Sequence, residues 1–229
     1  MSMERVTLIG GTGDLGFGLA VRWAMAGVSV VIGSRDASKA QQAVDRVRKA
    51  VREAGGAPGE LAGFENTEAA AQGSVVVLAV PFAVQTATLE QIRGALKDCI
   101  FVDTTVPLAT AVGGRPTRLL GVWQGSSAEQ AREVIPEAVS VVSAFHNLSA
   151  HALEELGTAL DADVLLCGDD AGAKRRLTAL VNRIAGLRAV DAGRLEMSRS
   201  VEAITSLLIS INKQNQVAHA GIRITGLPG

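Results

Sequence analysis

Val6-Thr-Leu-Ile-Gly-Gly-Thr-Gly-Asp-Leu-Gly16 decides the fold, and Gly33-Ser34-Arg35 refines it one helix later. Residues 6–10 form a short apolar strand that runs straight into Gly11-x-Gly13-x-x-Gly16. Glycines permit the tight turn and let the backbone approach a pyrophosphate, and the following helix offers its free N–H groups to that charge. Ser34-Arg35 falls at the end of the next strand, where an adenine ribose is read. A carboxylate there favours NAD, whereas Arg favours the extra 2′-phosphate of NADP. Lys39 lies four residues after Arg35, so a turn at the helix start brings a hydroxyl, a guanidinium and an ammonium to one anion. Asp36 sits two positions past the strand end and reads as a helix cap. The expected coenzyme is therefore NADP(H).

Bulk properties fit an enzyme built around such a pocket. The 229 residues are 48% hydrophobic and 20% charged, enough for a packed core in one large domain or a main domain plus a small one. Net charge is −1 with both signs interspersed, which argues against a nucleic-acid or membrane surface. Cys99 and Cys167 lie in apolar runs and read as buried reduced thiols. No CxxC or His/Cys cluster suggests a metal. No leader-like segment or membrane-length apolar run is present, so a cytoplasmic protein is expected. The chain has no tyrosine at all. That excludes the Tyr/Lys proton relay of short-chain dehydrogenases, so any reduction uses another acid or needs none.

Alternating patterns predict an α/β fold, a Rossmann-type doubly wound parallel sheet with a smaller C-terminal α/β region. Strands are expected at 6–10, 29–33, 61–64, 74–80, 100–103, 139–144 and 164–167. The helix after the glycine loop carries Leu15, Leu19, Trp23 and Ala26 on one face, and the next carries Ala40, Val44, Val47 and Val51. Further helices are predicted near 83–96, 126–134 and 170–185, and residues 109–120 read as a loop. A long helix over 196–214 bears Met197, Val201, Ile204, Leu208 and Ile211 at helical spacing, a core stripe or a dimer face. A domain boundary is expected near residue 148.

Ligands of open α/β sheets bind just outside the carboxyl ends of the strands. Two such ends, Ala79-Val80-Pro81 and Thr104-Thr105-Val106-Pro107, are apolar enough to suit a flat ring, or they simply begin loops. His146 follows another strand end with Asn147 and Ser149 beside it. It is placed to orient a substrate, to donate a proton, or to serve as a structural histidine. His151 and His219 are weaker candidates. Asp169-Asp170 precede a helix and read as caps.

Several separated motifs resemble one family, the NADPH-dependent F420 reductases. They are Ile9-Gly-Gly-Thr-Gly-Asp-Leu-Gly16, Gly33-Ser-Arg-Asp36, Val142-Ser-Ala-Phe-His-Asn147, Cys167-Gly-Asp-Asp170, Leu187–Gly193 and His219-Ala-Gly-Ile-Arg-Ile-Thr-Gly226. The resemblance implies hydride exchange between NADP(H) and the deazaflavin coenzyme F420, a co-substrate. It implies Thr12, Gly13, Asp14 and Leu15 at the diphosphate, with Ser34, Arg35 and Lys39 at the 2′-phosphate. It further implies Val80, Val84, Val106, Ala150 and Ala220 flanking the ring, and His146 and Asn147 toward F420. Residues 1–148 would bind NADP, and residues 149–229 would contribute to the F420 site and to dimer contacts. No catalytic acid–base residue is implied, because such transfer relies on holding donor and acceptor carbons about 3–3.5 Å apart. Phe82, Val84 and Ser149 stand where some members carry Trp, His and Pro. Arg183, Arg188, Arg194 and Arg199 are candidates for the anionic F420 tail.

Two other readings keep the same nucleotide pocket. One is an NADPH-dependent imine or carbonyl reductase, which would want a proton donor near the ring, with His146 as the obvious candidate. The other is a non-catalytic NADP(H) sensor. The motifs beyond residue 140 argue against both. The expected partners are the small-molecule coenzymes and a second copy of the chain, a homodimer, with no nucleic acid and no membrane.

Overall fold

Valine-rich runs build the centre of the molecule, and a computed structural model describes residues 4–227. The strands are β1 (Arg5–Ile9), β2 (Ser29–Ser34), β3 (Leu61–Glu65), β4 (Val75–Leu78), β5 (Ile100–Asp103), β6 (Ser140–Ser143), β7 (Ala162–Gly168) and β8 (Leu187–Gly193). They form one sheet in the order β3-β2-β1-β4-β5-β6-β7-β8. Strands buried on both faces need apolar residues at every position, which is why these runs do not alternate with polar ones.

Period-2 geometry still sorts the side chains into two layers. Val6, Leu8, Val30, Ile32, Val75 and Val77 pack with α1 (Asp14–Met25) and α2 (Ala37–Glu53). Ile9, Val76, Leu78 and Phe101 face the other way, onto α3 (Asn66–Ala70), α4 (Gln85–Ile92) and α5 (Ser127–Val134). The short α6 (Ala150–Glu154) packs on α1, and α7 (Ala171–Val181) joins the first layer. The last helix is α8 (Ser198–Asn215). Its expected stripe is core in the middle: Val201 packs with Leu165 and Cys167, and Ile204 lies against that cluster.

Parallel pairing holds from β1 to β6, as expected. The C-terminal region departs from it, because β7 runs antiparallel to β6 while β8 is parallel to β7. Only Val142↔Gly168 and Ser143↔Cys167 are paired across that junction. Residues 162–166 therefore project beyond the carboxyl edge of the main sheet, by roughly 16 Å at about 3.3 Å per residue. β8 and α3 were not anticipated as elements. Residues 109–120 are less irregular than expected, with a 3-10 turn at Ala109–Val112 and a Leu108–Leu119 bridge.

The projecting wall carries the chain's C-terminal segment. Asp163, fully buried, accepts from Arg188 Nε and Nη2 at 2.9 and 2.8 Å, from Arg223 Nη1 at 2.9 Å and from the Ile224 amide at 2.6 Å. The Arg188 bond holds its carboxyl well below the usual range. The Asp163 amide also donates to Ile222 O at 2.8 Å. Asp163 thus fastens residues 222–224 along β7, its carboxylate holding Arg223 and Ile224 and its amide holding Ile222.

A second buried charge fastens α6. Arg22 of α1, 7% exposed, donates to the carbonyls of Ala152, Leu153, Glu155 and Thr158 at 2.8–3.1 Å. These groups at the end of α6 have few other donors available. Arg22→Met keeps the stem volume and removes every donor. We expect it to lower unfolding free energy by about 3 kcal/mol in urea titrations, with Arg22→Lys recovering only part. A loss under about 0.5 kcal/mol would show that apolar packing alone holds α6.

Candidate active site

The glycine turn leaves β1 at the level where β2 and β4 also end. Gly10 has φ +78°, and a Cβ there would lie 2.6 Å from Ala79 O. Gly16 is as constrained, since a Cβ would meet Gly10 O and Gly11 Cα at 2.8 Å. The turn thus hinges at Gly10, one residue before the motif's first named glycine, and α1 is pressed onto the loop. Gly13 caps α1 with no side-chain bond, so the amides of Asp14 and Leu15 in the first turn have no side-chain acceptor. An anion at that end would supply one.

Thr12 and Gly13 line a cleft of about 630 Å³ together with Ser34, Arg35 and Lys39. Ser34 is buried, while Arg35 and Lys39 are exposed. Asp36 also lines the cleft, but its Oδ1 accepts from the Ser38 amide at 2.8 Å and hydroxyl at 2.7 Å. It caps α2 as expected, and the Ser38 bonds lower its pKa. Asn66 at the start of α3 was missed. It lines the same cleft, is 3% exposed, and its Oδ1 has no partner. Its signal was its position, the first polar residues after the third strand.

Ala79, Val80, Pro81 and Val84 form the apolar side of the cleft. The other predicted ring residues lie outside its lining. Val106 is half-buried just past β5, and Ala150 opens α6. Ala220 lines a second cavity of about 370 Å³ with Asn147, Ser149 and His219. Of the arginines considered for an anionic tail, Arg188 is engaged by Asp163, Arg194 pairs with Asp169 and Arg183 with Ala26 O.

His146 is 4% exposed and neither ring nitrogen has a partner. Burial pushes its pKa down to about 3, so the imidazole is neutral at physiological pH. Phe145 before it has φ +69°, a left-handed conformation costly for a bulky side chain. Edge-to-face packing on Trp23, centroids 5.6 Å apart, helps hold it there. Asn147 Nδ2 donates to Asp163 O at 2.6 Å, leaving Oδ1 unpartnered. Asn147 therefore rests on the residue that fastens the C-terminal segment.

A buried polar cluster lies under the ends of β4 and β5. Gln85 Nε2 donates to Thr105 Oγ1 at 2.7 Å, with Ser127 O at 3.0 Å and Asp103 Oδ2 at 3.2 Å also within reach. Thr105 Oγ1 lies 3.0 Å from both Asp103 oxygens and 2.7 Å from Ser127 Oγ. Glu202 of α8 accepts from the Ser127 and Ala128 amides at 2.9 and 3.1 Å, capping α5. Burial pushes Asp103 up to about 7 and Glu202 up to about 8, against the bonds that favour their ionised forms. Among the described residues no cluster of His, Cys, Asp and Glu could hold a metal ion, and no helix is long and apolar enough to cross a membrane.

A family model described as NADP oxidoreductase, coenzyme F420-dependent, matches residues 5–107. The chain is 44% identical over 225 residues to an F420-dependent NADP reductase of Methanothermobacter thermautotrophicus, covering 98% of this chain and 96% of that one. It is likewise 44% identical over 223 residues to the enzyme of the same name from Methanocaldococcus jannaschii, covering 97% and 99%. A crystal structure from Arthrobacter sp. FB24, given provisionally as an F420-dependent NADP-reductase, superposes with a TM-score of 0.79 at 25% identity over 98% of this chain and 100% of that one.

Three buried groups dominate the pH dependence of folding near neutral pH. His146 stays neutral in the fold but titrates near 6.5 when unfolded, so its contribution rises with pH from about 3 to 6.5 and is then constant. Asp103 and Glu202 keep their protons to about 7 and about 8 in the fold, against about 4 unfolded. Their contribution is full at acid pH and is lost as pH rises through those values. Between about pH 6.5 and 8.5 only the loss remains. We expect Tm to fall over that interval, and Glu202→Gln to remove much of the fall. A flat profile for the unsubstituted protein would contradict the proton assignment.

Proposed function

The chain belongs to the F420-dependent NADP reductase family, and we propose that it moves a hydride between NADP(H) and F420 at the carboxyl edge of its sheet. The observation that carries this reading is one cleft with two chemistries. It is lined by the Ser34 hydroxyl and two cations, Arg35 and Lys39, beside the Asp36 carboxylate that caps α2, and by the apolar strand-end residues Ala79, Val80 and Pro81. The glycine turn and the Ser34, Arg35 and Lys39 cluster fit a phosphorylated dinucleotide. When bound, NADPH supplies a hydride and F420 takes it up with a solvent proton, or the reverse.

The chain's own part is binding, orientation and exclusion of water. We assign the amides of Thr12, Gly13, Asp14 and Leu15 to the diphosphate, and Ser34, Arg35 and Lys39 to the 2′-phosphate. Val80, Val84, Val106, Ala150 and Ala220 flank the nicotinamide ring in this reading, with His146 and Asn147 on the F420 side. His146 holds no exchangeable positive charge near neutrality and so does not act as an imidazolium acid. That weighs against the imine or carbonyl reductase reading, for which His146 was the obvious donor. In this reading residues 1–148 form the NADP-binding part, and residues 149–229 supply the F420 side and the dimer contacts. α8 leaves Leu207 57% and Ile211 37% exposed, apolar surface that a second copy would cover. A cytoplasmic location suits a protein drawing on the NADP(H) pool.

Purified protein with F420 and NADPH under anaerobic conditions should bleach the 420 nm absorbance rapidly, and NADH should support little bleaching. Bound NADPH without bleaching would overturn the proposed reaction while leaving the coenzyme. Arg35→Ala should weaken NADPH binding by about 1.5–3 kcal/mol and spare NADH. Equal weakening of both would refute the 2′-phosphate assignment. Sedimentation at micromolar concentration should give a dimer, and Leu207→Glu should give a monomer. A monomer for the unsubstituted protein would refute the homodimer.

A further inference from the structure

We propose that Gln85 and Thr105 are positioning residues: their buried hydrogen bond clamps the two walls of the ring slot, Val84 and Val106, at a fixed spacing. The inference rests on the proposed placement of Val84 and Val106 beside the ring. Gln85 directly follows Val84, and Thr105 directly precedes Val106. The 2.7 Å bond from Gln85 Nε2 to Thr105 Oγ1 therefore joins the immediate chain neighbours of both valines. The two walls come from different strand ends, and the turn at Phe82–Val84 packs beside the one at Ala109–Val112.

Both side chains are buried, Gln85 at 0% and Thr105 at 2% exposure. Their partners are anchored independently. Asp103 ends β5 in register with Leu78 of β4, and the amide of Ser127 is held by Glu202 from α8. Apolar residues of similar size would fill the space with less desolvation. Directional bonds instead define one separation, where an apolar contact tolerates slip. Hydride transfer is sensitive to such slip, since a displacement of about 1 Å can cost about 100-fold in rate. The diphosphate and 2′-phosphate residues follow β1 and end β2, away from β4 and β5, so loosening the clamp should spare coenzyme affinity.

Thr105→Val and Gln85→Met each remove the bond at nearly constant volume. NADPH affinity, kcat, and the isotope effect with NADPH deuterated at C4 are the readouts. We expect kcat to fall about 10–100-fold with KM for NADPH within about 2-fold, and the isotope effect on kcat to rise. Thr105→Ser, which restores the hydroxyl, should return kcat to within about 3-fold. A kcat change below about 2-fold in both clamp variants would overturn the clamp. So would a serine variant as slow as the valine one, or equal losses in kcat and NADPH affinity. Val84→Ala and Val106→Ala separate the two levels of inference. If they slow transfer and the clamp variants do not, only the clamp fails. If they leave kcat and the isotope effect unchanged, the ring placement fails and takes the clamp with it.

Discussion

With Ile9 in register with Gly33 on one side and Leu78 on the other, the chain leaves three parallel strands at the same height. The site depends on that registry. It puts the glycine turn, the Ser34-Arg35 pair and the Ala79-Val80 strand end around one cleft, although they are far apart in sequence. Asp103 and Ser143 continue the same level across β5 and β6. A one-residue slip would turn every side chain of the slipped strand to the opposite face and break both apolar layers. The core thus enforces the alignment of the site, and no site residue has to enforce it by itself.

Beyond β6 the construction changes. β7 overlaps the sheet by two residue pairs only, and most of its length stands above the edge. A strand pair projecting in this way has little neighbouring sheet to stabilise it, and it is braced by charge instead. Asp163 is buried against two arginines and a main-chain amide of the C-terminal segment. Removing both arginines would leave a buried charge uncompensated, which is far costlier than losing a surface pair. The arrangement binds wall and segment to each other, with Asn147 hydrogen-bonded to the same residue's carbonyl.

How much of this could be read from the sequence depended on the range of the interactions. The cleft around the glycine turn was legible because a glycine turn, a strand end and a helix start each follow local rules. The Asp36 and Asp170 caps were legible for the same reason. The antiparallel turn of β7 was not, because a buried apolar run carries no sign of its direction. Gln85 is invisible in the sequence as a functional candidate, one polar residue among ordinary neighbours, and Asn66 is marked only by its position after the third strand. Gln85, Thr105, Ser127 and Glu202 come together only after four elements have folded. The α8 stripe has the expected period, and Val201 and Leu208 are buried, but Met197 belongs to the 3-10 turn before the helix and is exposed, as is Ile211 at the far end of the stripe.

The polar groups that remain are arranged for stiffness, not for proton traffic. His146 is neutral and enclosed, and the Asp103–Glu202 region keeps its protons near neutrality through burial. Neither is poised, as a general acid or base would be, at an exposed point within reach of a substrate. Transfer between two delocalised rings asks for little else than alignment and dryness, because the electron pair and its hydrogen move together. A protein with that task gains more from rigid walls than from titrating side chains. The absence of tyrosine, the neutral histidine and the hydrogen-bonded strand ends are consistent with a site whose precision lies in its framework.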